Sequence, residues 1–252
     1  MKIRGYDIIG DIHNCSGELF ALFDKLGYEN KNGLKIHPDG RIPVLAGDFC
    51  DRGPNFTPIY LFIRDMWNED LLLSVMGNHD NKLMRMCKGN NVQRTHGLDK
   101  SELAIVQAEK DNLFTRQEVK ELIEQWPYFM ILDNGKLIVT HAAWKKELRL
   151  KSPTSNKVKS YCLYGPVAGF HEDGMPDRID WAAEYKSNGE IVVVGHQVVK
   201  EVQIRNNVYQ IDTGCVFGNK LTALRYPEME IVQTKSFQKW DSSEFSDKIL
   251  NE

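Results

Sequence analysis

The 252-residue sequence predicts an α/β protein. In the first third of the chain a short apolar run ends three times at a polar loop containing glycine, and a segment with helical apolar spacing follows each loop. Repeated strand-loop-helix units favour parallel strands joined by right-handed crossovers, with their loops at one edge of the sheet. Further β-rich runs after residue 128 predict a second sheet packed against the first.

The elements follow from the local patterns in chain order. The first unit is predicted as a strand at 6–9 and a helix at 16–26, and the second as a strand at 42–46 and a helix from about 54–58 through 67. The third is predicted as a strand at 71–76 and a helix over the apolar positions 83, 84 and 86. The more polar segment 89–125 predicts a helical insertion over the sheet edge.

The second half of the chain changes character after residue 126. A turn of sequence Asp-Asn-Gly at 133–135 predicts a hairpin of strands 129–132 and 136–140. Residues 145–190, rich in Lys, Ser, Pro, Gly and Asp, predict an irregular excursion that lines the crevice. The remaining predicted strands are 191–194, 208–211, 221–226 and 230–233. We therefore expect a single domain over 1–235, followed by a polar tail at 236–252.

Composition excludes several classes of protein. A net charge of −3 and a pI near 6.2 predict no general attraction to long duplex nucleic acid. Five cysteines without a Cys-x-x-Cys pair indicate neither a zinc finger nor a disulfide framework. No apolar stretch approaches the roughly 20 residues of a membrane span, and the apolar run at the N-terminus is too short for a signal peptide. We expect a cytoplasmic protein with no membrane partner.

Five polar fragments stand where predicted strands end. They read GDIH from residue 10, GDFCDRG from 47, GNHD from 77, THA from 140 and GH from 195. Loops that follow the carboxyl ends of strands in an α/β sheet can converge on one crevice. Their carboxylates, amide and imidazoles predict a site for two divalent metals and a phosphate.

Individual residues in these fragments suit metal binding. Asp11 and His13, two apart in an extended loop, can chelate one ion, and the two oxygens of Asp48 can bridge two ions. The neutral amide of Asn78 suits the second ion, although a Gly-Asn turn explains it equally. The remaining predicted ligands, each at a strand end, are His141 and His196. A single such histidine is commonly only a hydrogen-bonding group, but the joint occurrence of all six favours a metal centre.

The chemistry of this set predicts hydrolysis. A mixed oxygen and nitrogen set without cysteine argues against structural zinc and for an open catalytic site. We expect two divalent ions, manganese first, with iron, zinc or nickel as alternatives. Such ions activate a hydroxide for in-line attack at phosphorus.

Other residues are candidates for the remaining catalytic roles. His79 is the candidate general acid, and Asp51 is placed to accept a hydrogen bond from it. Arg52 offers a planar fork for phosphate oxygens, or alternatively forms a salt bridge. Arg178 is a further candidate phosphate contact. Asp212 is interpreted as a partner of a ligand histidine, with a turn-forming role as the alternative.

In order and spacing, the five fragments resemble the calcineurin-like metallophosphoesterases and their phosphoprotein-phosphatase branch. The resemblance spans nearly the whole chain and implies a two-sheet β-sandwich flanked by helices. It also implies a dinuclear site, with Asp11, His13 and Asp48 on one ion. The ligands implied for the other ion are Asp48, Asn78, His141 and His196.

The segments HGLDK from residue 96, LYG from 163, DWAAEY from 180 and IDTGCVFGNKLTALRYPE from 211 resemble the PrpE-type bis(5'-nucleosyl)-tetraphosphatases. The phosphatase module of bacterial polynucleotide kinase-phosphatases is also similar, but no kinase P-loop is present. Two positions depart from the family pattern: Asn14 replaces the usual Gly and Gln197 the usual Thr.

Three functional hypotheses remain open. The first is a phosphohydrolase of dinucleoside polyphosphates or other phosphoesters, with a nucleotide or phosphoester small molecule as its partner. The second is a protein serine/threonine phosphatase acting on a phosphoprotein. The third is a non-catalytic scaffold, against which the intact His79, Asp51 and Arg52 argue.

Overall fold

Two five-stranded sheets carry the fold in a computed structural model that describes residues 3–172, 174 and 176–239. The strands are β1 Gly5–Ile9, β2 Glu29–Lys31, β3 Leu34–Ile36, β4 Arg41–Leu45, β5 Leu73–Ser74, β6 Phe129–Leu132, β7 Leu137–Thr140, β8 Val167–Phe170, β9 Pro176–Arg178, β10 Ile191–Val194, β11 Gln203–Arg205, β12 Val208–Gln210, β13 Lys220–Tyr226 and β14 Glu230–Lys235. The helices are α1 Ser16–Lys25, α2 Phe56–Asn68, α3 Asn78–Cys87, α4 Leu98–Lys110, α5 Arg116–Glu124, α6 Asn156–Tyr164 and α7 Trp181–Glu184.

The first sheet has the strand order β14-β13-β1-β4-β5. Strands β1, β4 and β5 are parallel neighbours, which confirms the parallel arrangement predicted from the three strand-loop-helix units. Strands β13 and β14 were expected in the second sheet, and this expectation is wrong because β13 pairs antiparallel with β1. The free edge of β1 takes up the last hairpin of the fold, a long-range pairing that local sequence patterns do not encode.

The second sheet has the order β11-β12-β10-β7-β6. Strands β6 and β7 form the predicted antiparallel hairpin, and β10 runs parallel to both β7 and β12. Side chains from the two sheets share one buried cluster, to which the first sheet contributes Ile8 and Val44 and the second Val139 and Val193. This face-to-face packing makes the two-sheet sandwich that the family resemblance implied.

Helices cover the outer faces of the sandwich. Helix α1 packs against β13 and β14, while α4 and α5, which form the predicted helical insertion, pack against α2 and α3. The prediction of an irregular segment at 145–190 is wrong in part, because the segment contains the β8–β9 hairpin, helix α7 and, at Asn156–Tyr164, helix α6. Its buried residues Val158, Cys162 and Leu163 stand at spacings of four and one, too few to mark a helix in a polar segment.

Two further features concern the chain as a whole. Among the described residues no helix has both the length and the apolar character needed to cross a membrane. The start of the predicted polar tail is held in place, because the amide of Phe237 donates a hydrogen bond of 2.8 Å to Glu18. Residues 240–252 of that tail lie outside the described part of the chain.

A buried ionic network ties three strands of the first sheet together. The fully buried carboxylate of Asp7 on β1 accepts hydrogen bonds from Arg41 on β4 at 2.9 Å and from Arg225 on β13 at 3.1 Å. Tyr28 donates a further bond of 2.8 Å to the same carboxylate. Removing one member of a buried ion pair leaves its partner charged and uncompensated, which is strongly destabilising.

We expect Asp7→Asn to lower the free energy of unfolding by about 3–5 kcal/mol, because two guanidinium groups would lose their buried counter-charge and keep only exposed carboxylate partners. The control is Asp65→Asn, which removes an exposed pair with Arg64 and should cost no more than about 1 kcal/mol. Urea unfolding monitored by circular dichroism measures both. Equal losses in the two variants would contradict the role given to Asp7.

Candidate active site

The six predicted metal ligands lie at the carboxyl ends of strands from both sheets. Asp11 and His13 follow β1, Asp48 follows β4 and Asn78 begins α3 directly after β5. The second sheet supplies His141 after β7 and His196 after β10. All six are buried or half-buried. The face-to-face packing of the two sheets therefore brings together residues that lie far apart in sequence.

Asp48 lies at the centre of this group. Its Oδ2 is 3.9 Å from Nε2 of His13 on one side and 3.3 Å from Nε2 of His141 on the other. Ligand atoms of Asp48, His13 and His79 lie within 4.8 Å of one another, as do those of Asp48, His141 and His196. Asp48 is common to both clusters, as a residue bridging two ions would be.

Backbone carbonyls fix the tautomers of two histidines. Nδ1 of His13 lies 2.8 Å from the carbonyl oxygen of Cys50, and Nδ1 of His141 lies 2.9 Å from that of Ala46. Since a carbonyl only accepts, each Nδ1 carries a proton, and each Nε2 is left to face Asp48. Metal-binding histidines commonly have such a partner on the nitrogen that does not bind the metal.

Burial controls the ionisation of the imidazoles. Burial and the neighbouring His79 lower the pKa of His13 to about 3. Burial, with the charges of His141 and Arg178, also holds the pKa of His196 well below its ordinary value. Both rings are therefore neutral at pH 7, which is the form that binds metals. The Nε2 atom of His196 is buried and has no hydrogen-bond partner among the described residues.

The carboxylates are crowded. Burial, then the neighbouring Asp212 and Asp48, raise the pKa of Asp11 well above its ordinary value. Burial alone would raise the pKa of Asp48, but His141 and His79 outweigh it and hold that pKa well below the usual range. Burial likewise opposes protonation of His141, yet the charge of Asp48 raises its pKa. Protons on Asp11 and His141 thus balance negative charge at the site, and bound divalent cations would balance the same charge.

These observations agree with a site for two divalent ions. Nε2 of His141 lies 2.9 Å from Oδ1 of Asn78 as well as near Asp48, so three potential ligand atoms converge. The unpartnered Nε2 of His196 and the crowded carboxylates are further groups that a cation would satisfy. The donor set of neutral nitrogen and oxygen, without sulfur, is that of catalytic rather than structural metal sites.

The loops that carry these ligands have unusual backbone conformations. The residues with left-handed φ are His13 at 45°, Asn14 at 60°, Asp48 at 51°, Asp51 at 68°, Arg52 at 61° and His196 at 68°. Each such conformation costs on the order of 1–3 kcal/mol, and such residues cluster at functional sites. Asn is among the few residues that tolerate this region, so Asn14 can replace the glycine usual in the family.

Asp80 braces the site, a role that the sequence analysis missed. Its carboxylate accepts hydrogen bonds from the amides of Asp48 at 2.8 Å, Phe49 at 3.1 Å and Gly77 at 2.8 Å. Burial and the nearby Asp48 raise its pKa to about 7. Its position as the third residue of α3, where acidic side chains cap helices, is the signal that could have revealed it.

The expected acid pair is brought together. Nδ1 of His79 lies 2.8 Å from Oδ2 of Asp51, and the other oxygen of Asp51 accepts a hydrogen bond of 2.8 Å from Ser101 on α4. Ser101 belongs to the helical insertion and carried no sequence signal. The insertion therefore contributes directly to the site by fixing Asp51.

The two arginines have different surroundings. Arg52 makes no ion pair within the described part of the chain, and its guanidinium lies 5.2 Å from the ring centre of Phe217. This leaves its fork free of a carboxylate. Arg178 on β9 donates a hydrogen bond of 2.7 Å to the carbonyl of Tyr164, and its charge acts on His196. Both lie beside the candidate metal ligands.

Asp212 differs from its interpretation as a partner of a ligand histidine. Its carboxylate accepts the amide of Gly214 at 3.0 Å, the turn-forming role that was the alternative. It makes no hydrogen bond to a histidine among the described residues. Burial raises its pKa to about 6, and its charge interacts with both His141 and Asp11.

Sequence comparison identifies relatives over most of the chain. The family model for calcineurin-like phosphoesterases matches residues 6–232. The chain is 43% identical over 242 residues to the asymmetrical bis(5'-nucleosyl)-tetraphosphatase PrpE of Anoxybacillus flavithermus, with 95% of this chain and 98% of the relative covered. It is also 43% identical over 243 residues to the protein of the same name from Bacillus subtilis, with 95% and 98% covered.

Solved structures share the fold at much lower identity. A protein provisionally assigned as a diadenosine tetraphosphatase matches with a TM-score of 0.60 and 20% identity, covering 93% of this chain and 95% of the other. A protein serine/threonine phosphatase from Saccharomyces cerevisiae matches with a TM-score of 0.59 and 13% identity, covering 94% and 81%. These likenesses concern the fold alone.

Gly77 offers a test of the geometry around Asp48. A Cβ atom at this position would overlap both the carboxylate and the amide of Asp48. We therefore expect Gly77→Ala to displace Asp48 and to weaken binding of Mn²⁺, measured by isothermal titration calorimetry, by more than about tenfold. The matched control is Gly169→Ala, because nothing lies within 4 Å of its Cβ position. Unchanged affinity in Gly77→Ala would contradict the assignment of Asp48.

Proposed function

The chain belongs to the calcineurin-like phosphoesterase family, and we propose that it is a metal-dependent phosphohydrolase that cleaves dinucleoside polyphosphates asymmetrically. The observation that carries this proposal is 43% identity, over nearly the whole chain, to relatives named for that activity. The candidate site supports it, because the clustered ligands, the acid pair and the unpaired arginine together suit phosphoryl transfer.

We propose Asp11, His13 and Asp48 as ligands of one divalent ion. Ligands proposed for the other are Asp48, Asn78, His141 and His196. Such ions, when bound, would activate water and neutralise charge on the phosphate. We propose manganese as the ion in use. Carboxylate, amide and imidazole ligands suit it, although iron, zinc or nickel would fit the same donors.

The residues around the ligands would perform the rest of the reaction. Nδ1 of His79 is engaged by Asp51, so Nε2 is the atom available to give a proton to the leaving oxygen. Asp51, itself held by Ser101, would orient the ring. Arg52 would hold phosphate oxygens in its planar fork. Arg178 would supply a second positive charge near His196.

We further propose that the enzyme works in the cytoplasm. All five cysteines are buried free thiols. Free thiols of this kind are typical of a reducing compartment, since extracellular proteins commonly pair theirs.

We expect the manganese-loaded protein to convert diadenosine tetraphosphate into equal amounts of ATP and AMP, and EDTA to abolish this turnover. His79→Asn should lower kcat by about 10²–10⁴-fold, because the leaving oxygen would lose its proton donor. The control is the exposed His171→Asn, which should match the parent. Chromatography of the products measures all variants.

Two results would contradict the proposal. One is the absence of metal-dependent turnover of diadenosine tetraphosphate by the parent protein. The other is a higher kcat/KM on a phosphoserine peptide than on the dinucleotide, which would favour the serine/threonine phosphatase alternative.

A further inference from the structure

A basic cleft of about 350 Å³ opens beside the candidate metal ligands. Its lining includes His79, Lys82, Arg85, His96 and Tyr164. Four of these carry basic side chains and none is acidic. The volume lies in the range of small-molecule sites, and the charge suits an anionic ligand.

Three of the basic residues form a row along α3. His79, Lys82 and Arg85 are spaced by three residues, so they lie on one face of the helix, and the row rises about 9 Å from the first to the last. The row begins at the candidate general acid and leads away from the metal ligands. A chain of linked phosphates that extends from the reacting phosphate would lie along this row.

His79 pairs with Asp51, but the two cations that follow it in the row have no carboxylate partner among the described residues. Neither Lys82 nor Arg85 forms an ion pair within the described residues, and Nζ of Lys82 only donates to the carbonyl and hydroxyl oxygens of Thr95 at 3.3 and 3.0 Å. At the end of the same helix Lys88 instead pairs with Glu124 at 3.0 Å. Helix α3 thus presents the unpaired Lys82 and Arg85 to the cleft, whereas the paired Lys88 lies outside the lining of the cleft.

The far wall of the cleft is tied to the site. The ring of Tyr164 lies 6.5 Å from that of His196, and the backbone carbonyl of Tyr164 accepts the bond from Arg178. The ring of His96 lies 6.4 Å from that of His79. The cleft is therefore a continuation of the candidate active site rather than a separate pocket.

We propose that this cleft binds the polyphosphate of the departing nucleotide, with Lys82 and Arg85 holding the phosphates beyond the bond that is cut. This inference rests on the proposed function. It adds the orientation of the bound substrate. The fragment that lies in the cleft is next to His79, so it receives the proton of His79 and is the leaving group.

The direction fixes which bonds form and break in an asymmetrical cleavage. The oxygen of water bonds to the phosphorus of the nucleoside monophosphate, and the bond from that phosphorus to the bridging oxygen breaks. The bridging oxygen leaves with the nucleoside triphosphate and receives the proton from His79. One proton of the attacking water stays on the new oxygen of the monophosphate, and the other passes to solvent, from which His79 regains a proton. The monophosphate product thus carries the oxygen of water.

Substitution tests the role of the two cations. The ratio of kcat/KM on diadenosine tetraphosphate to kcat/KM on p-nitrophenyl phosphate should fall about tenfold in Lys82→Met and in Arg85→Met, because each loses a charged contact made only by the longer substrate. The control Lys88→Met should keep the parental ratio. An unchanged ratio in both cleft variants would overturn the proposal.

Inhibition separates this inference from the proposed function. Inorganic tripolyphosphate should inhibit hydrolysis of p-nitrophenyl phosphate, with an inhibition constant about tenfold higher in Lys82→Met than in Lys88→Met. This comparison holds even if the parent fails to cleave diadenosine tetraphosphate, an outcome that counts against the proposed function alone. Equal inhibition of the two variants counts against the cleft.

Isotope labelling tests the direction. When diadenosine tetraphosphate is hydrolysed in water enriched in oxygen-18, mass spectrometry should find the label in AMP and not in ATP. Label in ATP would show that the monophosphate is the leaving fragment, and it would overturn the orientation proposed here.

Discussion

The alignment of the two sheets at the candidate site depends on the contacts around the buried carboxylate of Asp48. It comes from the first sheet, yet its nearest imidazole neighbour is His141 from the second. Two more bonds cross in the same place: His141 to the carbonyl of Ala46, and the amide of His196 to the carboxylate of Asp11. The polar site therefore contributes to sheet alignment as well as to chemistry. A buried charge of this kind is tolerated only because it is surrounded by partners.

This arrangement is costly for the fold. Several loop residues at the site have left-handed backbones, and the charge of Asp48 raises the pKa of both Asp11 and Asp80. The cost is carried by the regular parts of the molecule, such as the fully buried apolar cluster between the sheets and the network around Asp7. Strain concentrated in loops on a rigid scaffold is typical of preorganised active sites.

Local motifs made the candidate ligands predictable, whereas long-range contacts escaped prediction. Each of the six ligand positions stands where an apolar run ends, and that signal can be read within a few residues. The pairing of β13 with β1 and the bond from Ser101 to Asp51 join segments far apart in sequence, and no local pattern encodes them. Asp80 lay inside a motif that was recognised, but its side chain acts on backbone amides of another loop.

Helix α3 carries residues of both the candidate metal site and the basic cleft. Its first turn presents Asn78 and His79 to the candidate ligands, and its next two turns present Lys82 and Arg85 to the cleft. A rigid helix fixes the distance between the reacting phosphate and any charge that follows it. Lys82 and Arg85 form no ion pair among the described residues, and the cleft as proposed would therefore favour a long anionic leaving group over a single phosphate.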